Sequence, residues 1–476
     1  MTARCVALLL ALAVPAFAQT KPGAPDANGP AARRLRQLVA AVERGGEPHI
    51  RAFVREAYAP ELRQRISEDR VARLYALLSD ASRGLELDSL RATSTEASAL
   101  LRARLTGLWQ PLSLRVEPQP PHRIIEVSAT TGVKLPKHPL AATGVSDAER
   151  VREIDRIARK LSDADVFSGV VLVARGDSVL YLGAFGDADK ERRIPIRPDT
   201  RFALASVTKP FVTVAIAKLV EEGRLSWDDS LGKFFPEFPL AQAREKVRIK
   251  HLVTHTSGLK QGFPERPDSM DDYVRAVALA QDDTLLYEPG TRSAYNNATF
   301  NLLGKIIELA SGQPFYEYIR AHILRPAGMR ETDFDELHRV WERRAVAYQR
   351  LFTEKGVRFE AEAPPPEPGV EYPGAFAGMH STARDLFRFA RALGKGRILR
   401  SETVELLFSP KPEAGNWSYG FDVLDEERGL VGHGGSLAGM SNSLDMFTKS
   451  GYTAVVLSNY TFARSPLREA IWSILP

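Results

Sequence analysis

The chain has 476 residues, of which 44% are hydrophobic and 26% charged, and its formal net charge is +5. This length is too great for one ordinary core, so we expect at least two domains. The positive charge is mild and scattered, without a Lys/Arg run that carries interleaved aromatics, which argues against nucleic acid as a partner.

The first 18 residues have the pattern of a secretory signal peptide. Arg4 precedes the apolar stretch Cys5–Val14, and Ala16-Phe17-Ala18 fits a cleavage site before Gln19. The stretch is too short for a stable membrane span, and no other apolar run reaches membrane length. We therefore expect a periplasmic or secreted protein with no stable membrane span after signal removal. An uncleaved anchor is the competing interpretation.

Cys5 is the only cysteine, and it lies inside the predicted signal. The mature chain would then contain none. A disulfide, a thiol nucleophile and a thiolate metal site are therefore excluded from it.

Residues 30–128 are predicted to form a small α+β accessory domain. Leu35, Leu38, Val39 and Val42 recur at helical spacing before Gly45-Gly46 ends the pattern. Two further helices are predicted over Ile50–Tyr58 and Glu68–Leu78, and the strands expected after them are Leu101–Leu105, Leu112–Val116 and Ile124–Val127. The helix-then-sheet order resembles, in shape only, domains of the nuclear-transport-factor-two type. It carries no catalytic constellation, so a packing or dimerising role is favoured over ligand binding, and a homodimer is compatible with it.

Residues 129–146 read as a linker, and residues 147–476 as the second domain. Ser146-Asp147-Ala148-Glu149 is typical of a capping box that starts a helix. A hairpin is predicted around Arg175-Gly176-Asp177, a mostly helical section follows from Ser206 to Leu393, and strands return at the end. The expected C-terminal strands are Gly420–Leu424, Leu430–His433, Ser441–Phe447 and Tyr452–Ser458. The fold class is therefore α+β, with one antiparallel sheet flanked by helices and a separate helical lobe.

Ser206-Val207-Thr208-Lys209 is the first motif that bears on chemistry. It precedes the apolar segment Pro210–Glu222, so Ser206 is predicted at a helix start with Lys209 one turn on, on the same face. A serine hydroxyl needs a neighbour to accept its proton, and a buried neutral lysine can do so. Alone, the motif is more typical of a helix cap beside a surface lysine.

Tyr295-Asn296-Asn297 follows Glu288-Pro289-Gly290 and is predicted to lie on a loop. A tyrosine beside a lysine can relay protons if the positive charge lowers its pKa. Asn297 could orient the lysine or hold a substrate carbonyl. Tyr295 could also be a buried packing aromatic.

His433-Gly434-Gly435-Ser436 lies in a strand context, at the end of the predicted strand Leu430–His433. Glycines there allow a substrate backbone to approach closely, and a following N–H group could stabilise an oxyanion. A bulge or turn with a hydrogen-bonded His433 is the alternative.

Together these motifs resemble the serine β-lactamase-related family, which includes class C β-lactamases, D-alanyl-D-alanine carboxypeptidases, D-aminopeptidases and esterases. Ser206 and Lys209 match S-x-x-K, Tyr295 and Asn297 match Y-x-N, and His433 and Gly435 match H-x-G. The supporting stretches are His251–Leu259, Pro289-Gly290-Thr291 and Ser381–Leu386. The resemblance covers about Asp147 to Pro476 and implies a β-lactamase/transpeptidase-like fold.

The resemblance implies a two-step acyl transfer to water from a small-molecule or peptide substrate. Ser206 would attack an ester or amide carbonyl, Lys209 and Tyr295 would handle its proton, and the N–H groups of Ser206 and Ser436 would hold the oxyanion. His433 stands where class C β-lactamases have lysine, which moves the expectation from β-lactams toward D-amino-acid peptides or small esters. No cofactor and no metal are expected.

Two rival interpretations remain from the residues themselves. His251 and His255 have the i, i+4 spacing of zinc ligands, but Leu252 stands where the H-E-x-x-H motif needs glutamate. A catalytically inactive peptide- or peptidoglycan-binding protein with the same fold would be expected to lack Ser206, Lys209 or Tyr295, and all three are present.

Overall fold

The computed structural model describes residues 26–128, 135–334, 343–353, 356–362 and 373–476. The predicted signal peptide lies outside these residues, as do positions 129–134 of the predicted linker. The chain divides into two compact units, which are taken in turn. The first comprises Met1–Phe167, Gln349–Glu360 and Phe462–Pro476, and the second comprises Ser168–Tyr348 and Ala361–Thr461.

The regular elements are numbered in chain order. The α-helices are α1 (Pro30–Arg44), α2 (Glu47–Ala57), α3 (Pro60–Arg65), α4 (Glu68–Ser82), α5 (Asp147–Asp163), α6 (Lys209–Glu221), α7 (Leu231–Phe234), α8 (Ala241–Lys246), α9 (Ile249–Val253), α10 (Met270–Leu279), α11 (Ala298–Ser311), α12 (Phe315–Ile319), α13 (Arg325–Ala327), α14 (Ala383–Gly394), α15 (Ser401–Phe408) and α16 (Arg464–Ile474). The strands are β1 (Leu85–Ala92), β2 (Glu96–Ala103), β3 (Trp109–Val116), β4 (Ile124–Ser128), β5 (Gly169–Arg175), β6 (Ser178–Phe185), β7 (Asp187–Asp189), β8 (Ile194–Pro195), β9 (Phe202–Ala203), β10 (Asp333–Phe334), β11 (Tyr348–Thr353), β12 (Gly356–Ala361), β13 (Met379–Ser381), β14 (Asp422–Asp425), β15 (Leu430–Leu437), β16 (Met440–Phe447) and β17 (Tyr452–Ser458).

The first unit begins with four helices and a four-stranded antiparallel sheet in the order β1-β2-β3-β4. The apolar stripe of α1 is buried, because its spacing places those side chains on one helix face. Helix α3 and strand β1 were not predicted. β1 is an edge strand with a register shift between Leu87 and Ser89, and five of its eight residues are exposed, so it lacks apolar alternation. The likeness to the nuclear-transport-factor-two shape stays a prediction.

The remaining elements of the first unit come from later in the chain. Helix α5 starts at the predicted capping box, in which the Ser146 hydroxyl accepts from the Glu149 N–H group and the Glu149 carboxylate accepts from the Ser146 N–H group. α5 packs against α16. The two compact units therefore divide the chain differently from the predicted domains, which placed residues 147–476 together.

The second unit contains a six-stranded antiparallel sheet in the order β14-β15-β16-β17-β5-β6. Pairing of β17 with β5 joins C-terminal to N-terminal strands, with Val455 opposite Leu172. This confirms the predicted single sheet. Strand β15 extends four residues beyond the predicted Leu430–His433, because its pairing with β16 continues through both glycines to Leu437.

Helix α6 lies in the core of the second unit. All its residues from Lys209 to Ala217 are buried, as expected of a helix that is apolar on every side. α11 packs against α6, and α14 packs against β17 and β5. The section predicted to be mostly helical is interrupted by the short strands β10 and β13, which pair in a three-stranded sheet with β9. None of the described helices combines the length and the apolar character needed to cross a membrane.

Candidate active site

Ser206 lies on a tight turn between a strand and a buried helix. The 3-10 turn Ala205–Thr208 follows β9 and runs directly into α6. Ala205 has φ +52°, a left-handed conformation that is uncommon for residues with a side chain. The turn leaves Ser206 half-buried, whereas its neighbours on both sides are buried. Ser206 therefore keeps partial contact with solvent, whereas the residues next to it do not.

The Lys209 side chain is fully buried beneath Ser206. Its Nζ donates hydrogen bonds to Ser206 Oγ at 2.9 Å and to the Phe376 carbonyl oxygen at 3.0 Å. The rings of Tyr295, Phe300 and Phe376 lie 5.0, 5.4 and 5.5 Å from Nζ. Burial lowers the pKa of Lys209 well below its usual value, because removal from water disfavours the charged form. A neutral amine in this place can accept a proton from Ser206.

Tyr295 reaches the same hydroxyl from the segment that precedes α11. Its OH donates to Ser206 Oγ at 2.8 Å. The residue is 39% exposed, yet desolvation raises the pKa of its phenol, and the Asp422 carboxylate adds to the rise. The sequence-based expectation of a pKa lowered by Lys209 is therefore wrong. The physical reason is that removal of the phenol from water disfavours its charged form.

The two asparagines that follow Tyr295 have different surroundings. The Asn296 side chain is buried, and its Oδ1 accepts from the Ala298 N–H group at 2.9 Å while its Nδ2 donates to the Leu259 carbonyl at 2.8 Å. Asn296 thus caps the start of α11. Asn297 is half-buried, and its Oδ1 has no hydrogen-bond partner among the described residues.

His433, Gly435 and Ser436 follow one another along β15. His433 is buried, and its Nδ1 lies 2.7 Å from the Gly434 carbonyl oxygen. Because a carbonyl only accepts, Nδ1 carries the proton. Ser436 is exposed and pairs with Ser441 of β16.

Gly435 permits close approach between β15 and the Ser206 turn. A Cβ at this position would lie 2.2 Å from the Leu204 carbonyl oxygen and 3.1 Å from the Ser206 nitrogen. Any side chain would therefore collide with backbone that cannot move without shifting the turn. The absence of a side chain brings the backbone of β15 next to Ser206.

The structure brings Ser206, Lys209 and Tyr295 into direct hydrogen-bond contact, and places Gly435 against the same turn. It also adds residues that the motif analysis did not assign. Trp417 lies with its ring centroid 5.3 Å from Tyr295 and 5.6 Å from His433, and the Phe376 backbone holds Lys209. A backbone carbonyl has no sequence signature, and Trp417 lies outside the quoted motifs.

The two histidines at zinc-ligand spacing are engaged elsewhere. Nδ1 of His251 accepts from the Arg248 N–H group at 3.2 Å, and Nδ1 of His255 accepts from the Asn296 N–H group at 3.1 Å. Across the parts of the chain that the structure describes, no cluster of three or more His, Cys, Asp or Glu side chains could hold a metal ion.

Comparison with known proteins agrees with this geometry. The Beta-lactamase family model matches residues 154–475. Penicillin-binding protein 4* of Bacillus subtilis is 30% identical over 345 residues, 65% of this chain and 71% of that protein. Esterase EstB of Burkholderia gladioli is 33% identical over 325 residues, 58% of this chain and 81% of that protein.

A solved structure extends the likeness to three dimensions. The penicillin-binding protein from Bacillus halodurans has a TM-score of 0.58 and 26% identity, covering 67% of this chain and 99% of that one. The chain therefore belongs to the β-lactamase family and is a serine hydrolase with the β-lactamase/transpeptidase-like fold.

Proposed function

We propose that the protein hydrolyses an ester or amide through an acyl-enzyme on Ser206. One observation carries this proposal: Ser206 Oγ receives hydrogen bonds from both Lys209 Nζ and the Tyr295 hydroxyl, at 2.9 and 2.8 Å. A nucleophile held between two groups that can exchange protons is the arrangement that covalent catalysis requires.

In the first step, Ser206 Oγ bonds to the substrate carbonyl carbon and its proton passes to the Lys209–Tyr295 pair. Lys209 would be the acceptor, since burial lowers the pKa of its amine and so favours the neutral form. Collapse of the tetrahedral intermediate breaks the bond to the leaving group, which takes the proton back from the pair. Water then repeats the sequence on the acyl-enzyme and releases the acid.

The oxyanion would be held between the Ser206 turn and β15. Ser206 N–H lies in the turn, the glycine at 435 lets the backbone of β15 approach it, and the N–H of Ser436 would complete the pair. Such donors act most strongly where water is excluded. Asn297 Oδ1 would accept a hydrogen bond from the substrate, because it lacks a partner among the described residues.

A D-amino-acid peptide or a small ester is favoured over a β-lactam as substrate. His433 is buried and its Nδ1 is bound to the Gly434 carbonyl, so it presents no permanent positive charge to a β-lactam carboxylate. Esterase EstB is similar to this chain over 81% of its own length, which supports an ester as substrate.

Hydrolysis of three substrates tests the proposal: p-nitrophenyl butyrate, nitrocefin and a D-Ala-D-Ala peptide, each with wild-type protein and Ser206→Ala. We expect Ser206-dependent turnover of the ester or the peptide, and little of nitrocefin. Absence of turnover, together with no labelling by an active-serine phosphonate, would favour a catalytically inactive peptide- or peptidoglycan-binding protein.

We also propose export to the periplasm or the medium, on the strength of the signal pattern in residues 1–18. Mass spectrometry of the protein from cell fractions should show a chain that starts at Gln19. Light scattering of that product tests whether it forms the homodimer that an accessory domain would allow.

A further inference from the structure

His255 lies directly behind Tyr295 and holds its backbone on both sides. The His255 carbonyl accepts from the Ala294 N–H group at 2.9 Å, and its Nδ1 accepts from the Asn296 N–H group at 3.1 Å. The His255 ring centroid is 4.4 Å from that of Tyr295 and 4.8 Å from that of Trp417. One buried residue thus fixes the positions immediately before and after Tyr295 and packs against its ring.

The backbone of His255 is itself unusual. Its φ is +59°, a left-handed conformation that costs energy for a residue with a side chain and persists only where the surroundings impose it. The next residues extend the attachment: the carbonyls of Thr256 and Gly258 accept from the Gly290 and Leu286 N–H groups, both at 2.9 Å. The segment 255–258 is therefore the support to which the Tyr295 segment is tied.

The protonation of His255 suits this role. Since Nδ1 accepts, the neutral ring carries its proton on Nε2. Burial lowers the pKa of His255 well below its usual value, because removal from water disfavours the charged ring. Nδ1 therefore remains an acceptor at neutral pH.

We propose that His255 is a positioning residue for hydrolysis, which keeps the Tyr295 hydroxyl on Ser206 Oγ by holding the backbone at residues 294 and 296. This inference rests on the proposed roles of Ser206 and Tyr295. It assigns a specific function to a histidine outside the two hydrogen bonds that Ser206 Oγ receives, which come from Lys209 and Tyr295. A displacement of about 1 Å in a reacting group can cost about 100-fold in rate, so an indirect contact of this kind matters.

Two amide substitutions separate the Nδ1 contact from the rest of the side chain. His255→Asn places an oxygen near the position of Nδ1, whereas His255→Gln places its amide nearer to Nε2. With p-nitrophenyl butyrate we expect kcat of His255→Gln to fall about 100-fold and that of His255→Asn about 10-fold or less, with KM little changed in both. His251→Asn is the matched control, because its Nδ1 also accepts a backbone N–H group but away from Tyr295, and its kcat should stay near wild type.

A double-mutant cycle with Tyr295→Phe decides whether His255 acts through Tyr295. If it does, His255→Gln should lower kcat less than threefold in the Tyr295→Phe background, because the hydroxyl it positions is already gone. Where His255→Gln does not fold in a thermal melt, His255→Phe, which keeps a packed ring without the acceptor, takes its place in the cycle.

The inference would be overturned if His255→Gln lowered kcat equally in the wild-type and Tyr295→Phe backgrounds, or if the Asn and Gln variants had equal kcat. Either result would leave Ser206-dependent turnover, and so the proposed function, in place. Turnover that survives Ser206→Ala would instead overturn the proposed function, and the inference with it.

Discussion

The two sides of the Ser206 hydroxyl are built in different ways. On one side, Lys209 is three residues from Ser206 on the same turn-and-helix element, and its side chain is fully buried. On the other side, Tyr295 belongs to an irregular segment, is 39% exposed, and is held by hydrogen bonds to residues about forty positions earlier. The first contact follows from local geometry, whereas the second depends on tertiary structure. Substitutions on the lysine side should therefore change proton transfer and the stability of the whole fold. Those on the tyrosine side should change the local placement of the Tyr295 hydroxyl.

Lys209→Met gives the largest expected effect. Removal of the proton acceptor should lower kcat about 10⁴-fold, since a serine without its base is a poor nucleophile. The free energy of unfolding should rise, because a buried amine is replaced by an apolar side chain of similar length.

The pH dependence of that stability change has a definite sign. The pKa of Lys209 is lowered in the folded protein, so between its unfolded value of about 10.4 and the lower folded value only the unfolded chain binds the proton. Wild-type stability should therefore fall as pH decreases through this window, and the advantage of Lys209→Met should grow. Urea unfolding of both proteins at several pH values measures the difference in unfolding free energy between Lys209→Met and wild type. A difference that shrinks toward lower pH would contradict a lowered pKa of Lys209.

Tyr295→Phe should lower kcat about 10³-fold, within the range expected for loss of one proton-transfer group. The variant keeps the ring that packs against His255 and Trp417, so the thermal midpoint should change little. A pH–rate profile checks the division of roles. The acid limb of kcat/KM, which reports Lys209 becoming protonated, should persist in this variant, and its disappearance would assign that limb to Tyr295.

Gly435→Ala tests the contact between β15 and the Ser206 turn. The new methyl group would lie 2.2 Å from the Leu204 carbonyl oxygen, so the strand or the turn must shift, with about a 100-fold loss of kcat and about 1–3 kcal/mol of unfolding free energy. Gly394→Ala is the control. A Cβ there meets open space within helix α14, and activity should not change. Wild-type kinetics in Gly435→Ala would rule out the close approach.

The paired asparagines give the smallest and most selective effects. Asn296→Ala removes the cap of α11 and should cost about 1–2 kcal/mol in unfolding free energy. Asn297→Ala should leave stability within about 0.5 kcal/mol and raise KM several-fold, because its Oδ1 has no partner among the described residues. Chemical denaturation and steady-state kinetics of both variants separate the two roles, and the reverse assignment would contradict the structure.

Much of this arrangement could be predicted from the residues alone. The i, i+3 spacing of Ser206 and Lys209, the apolar character of α6 and the capping box of α5 are local properties, and local geometry translates them directly into structure. Edge strand β1 was not predicted, because an exposed edge strand does not need the alternation of apolar and polar residues from which strands are predicted. Strand β15 was predicted too short because glycine disfavours strands, and pairing with β16 overrides that preference.

The sequence by itself determined the fold class, the family motifs and the pairing of Ser206 with Lys209, since each depends on periodicity or short spacing within one element. Only the tertiary structure decided the charge state of the site. Burial lowers the pKa of Lys209 and raises that of Tyr295, which reverses the expectation for the tyrosine, because desolvation depends on the side chains that surround a group. The tertiary structure also decided which asparagine caps α11 and that His255 holds Tyr295 in place, because these contacts depend on residues far apart in the chain.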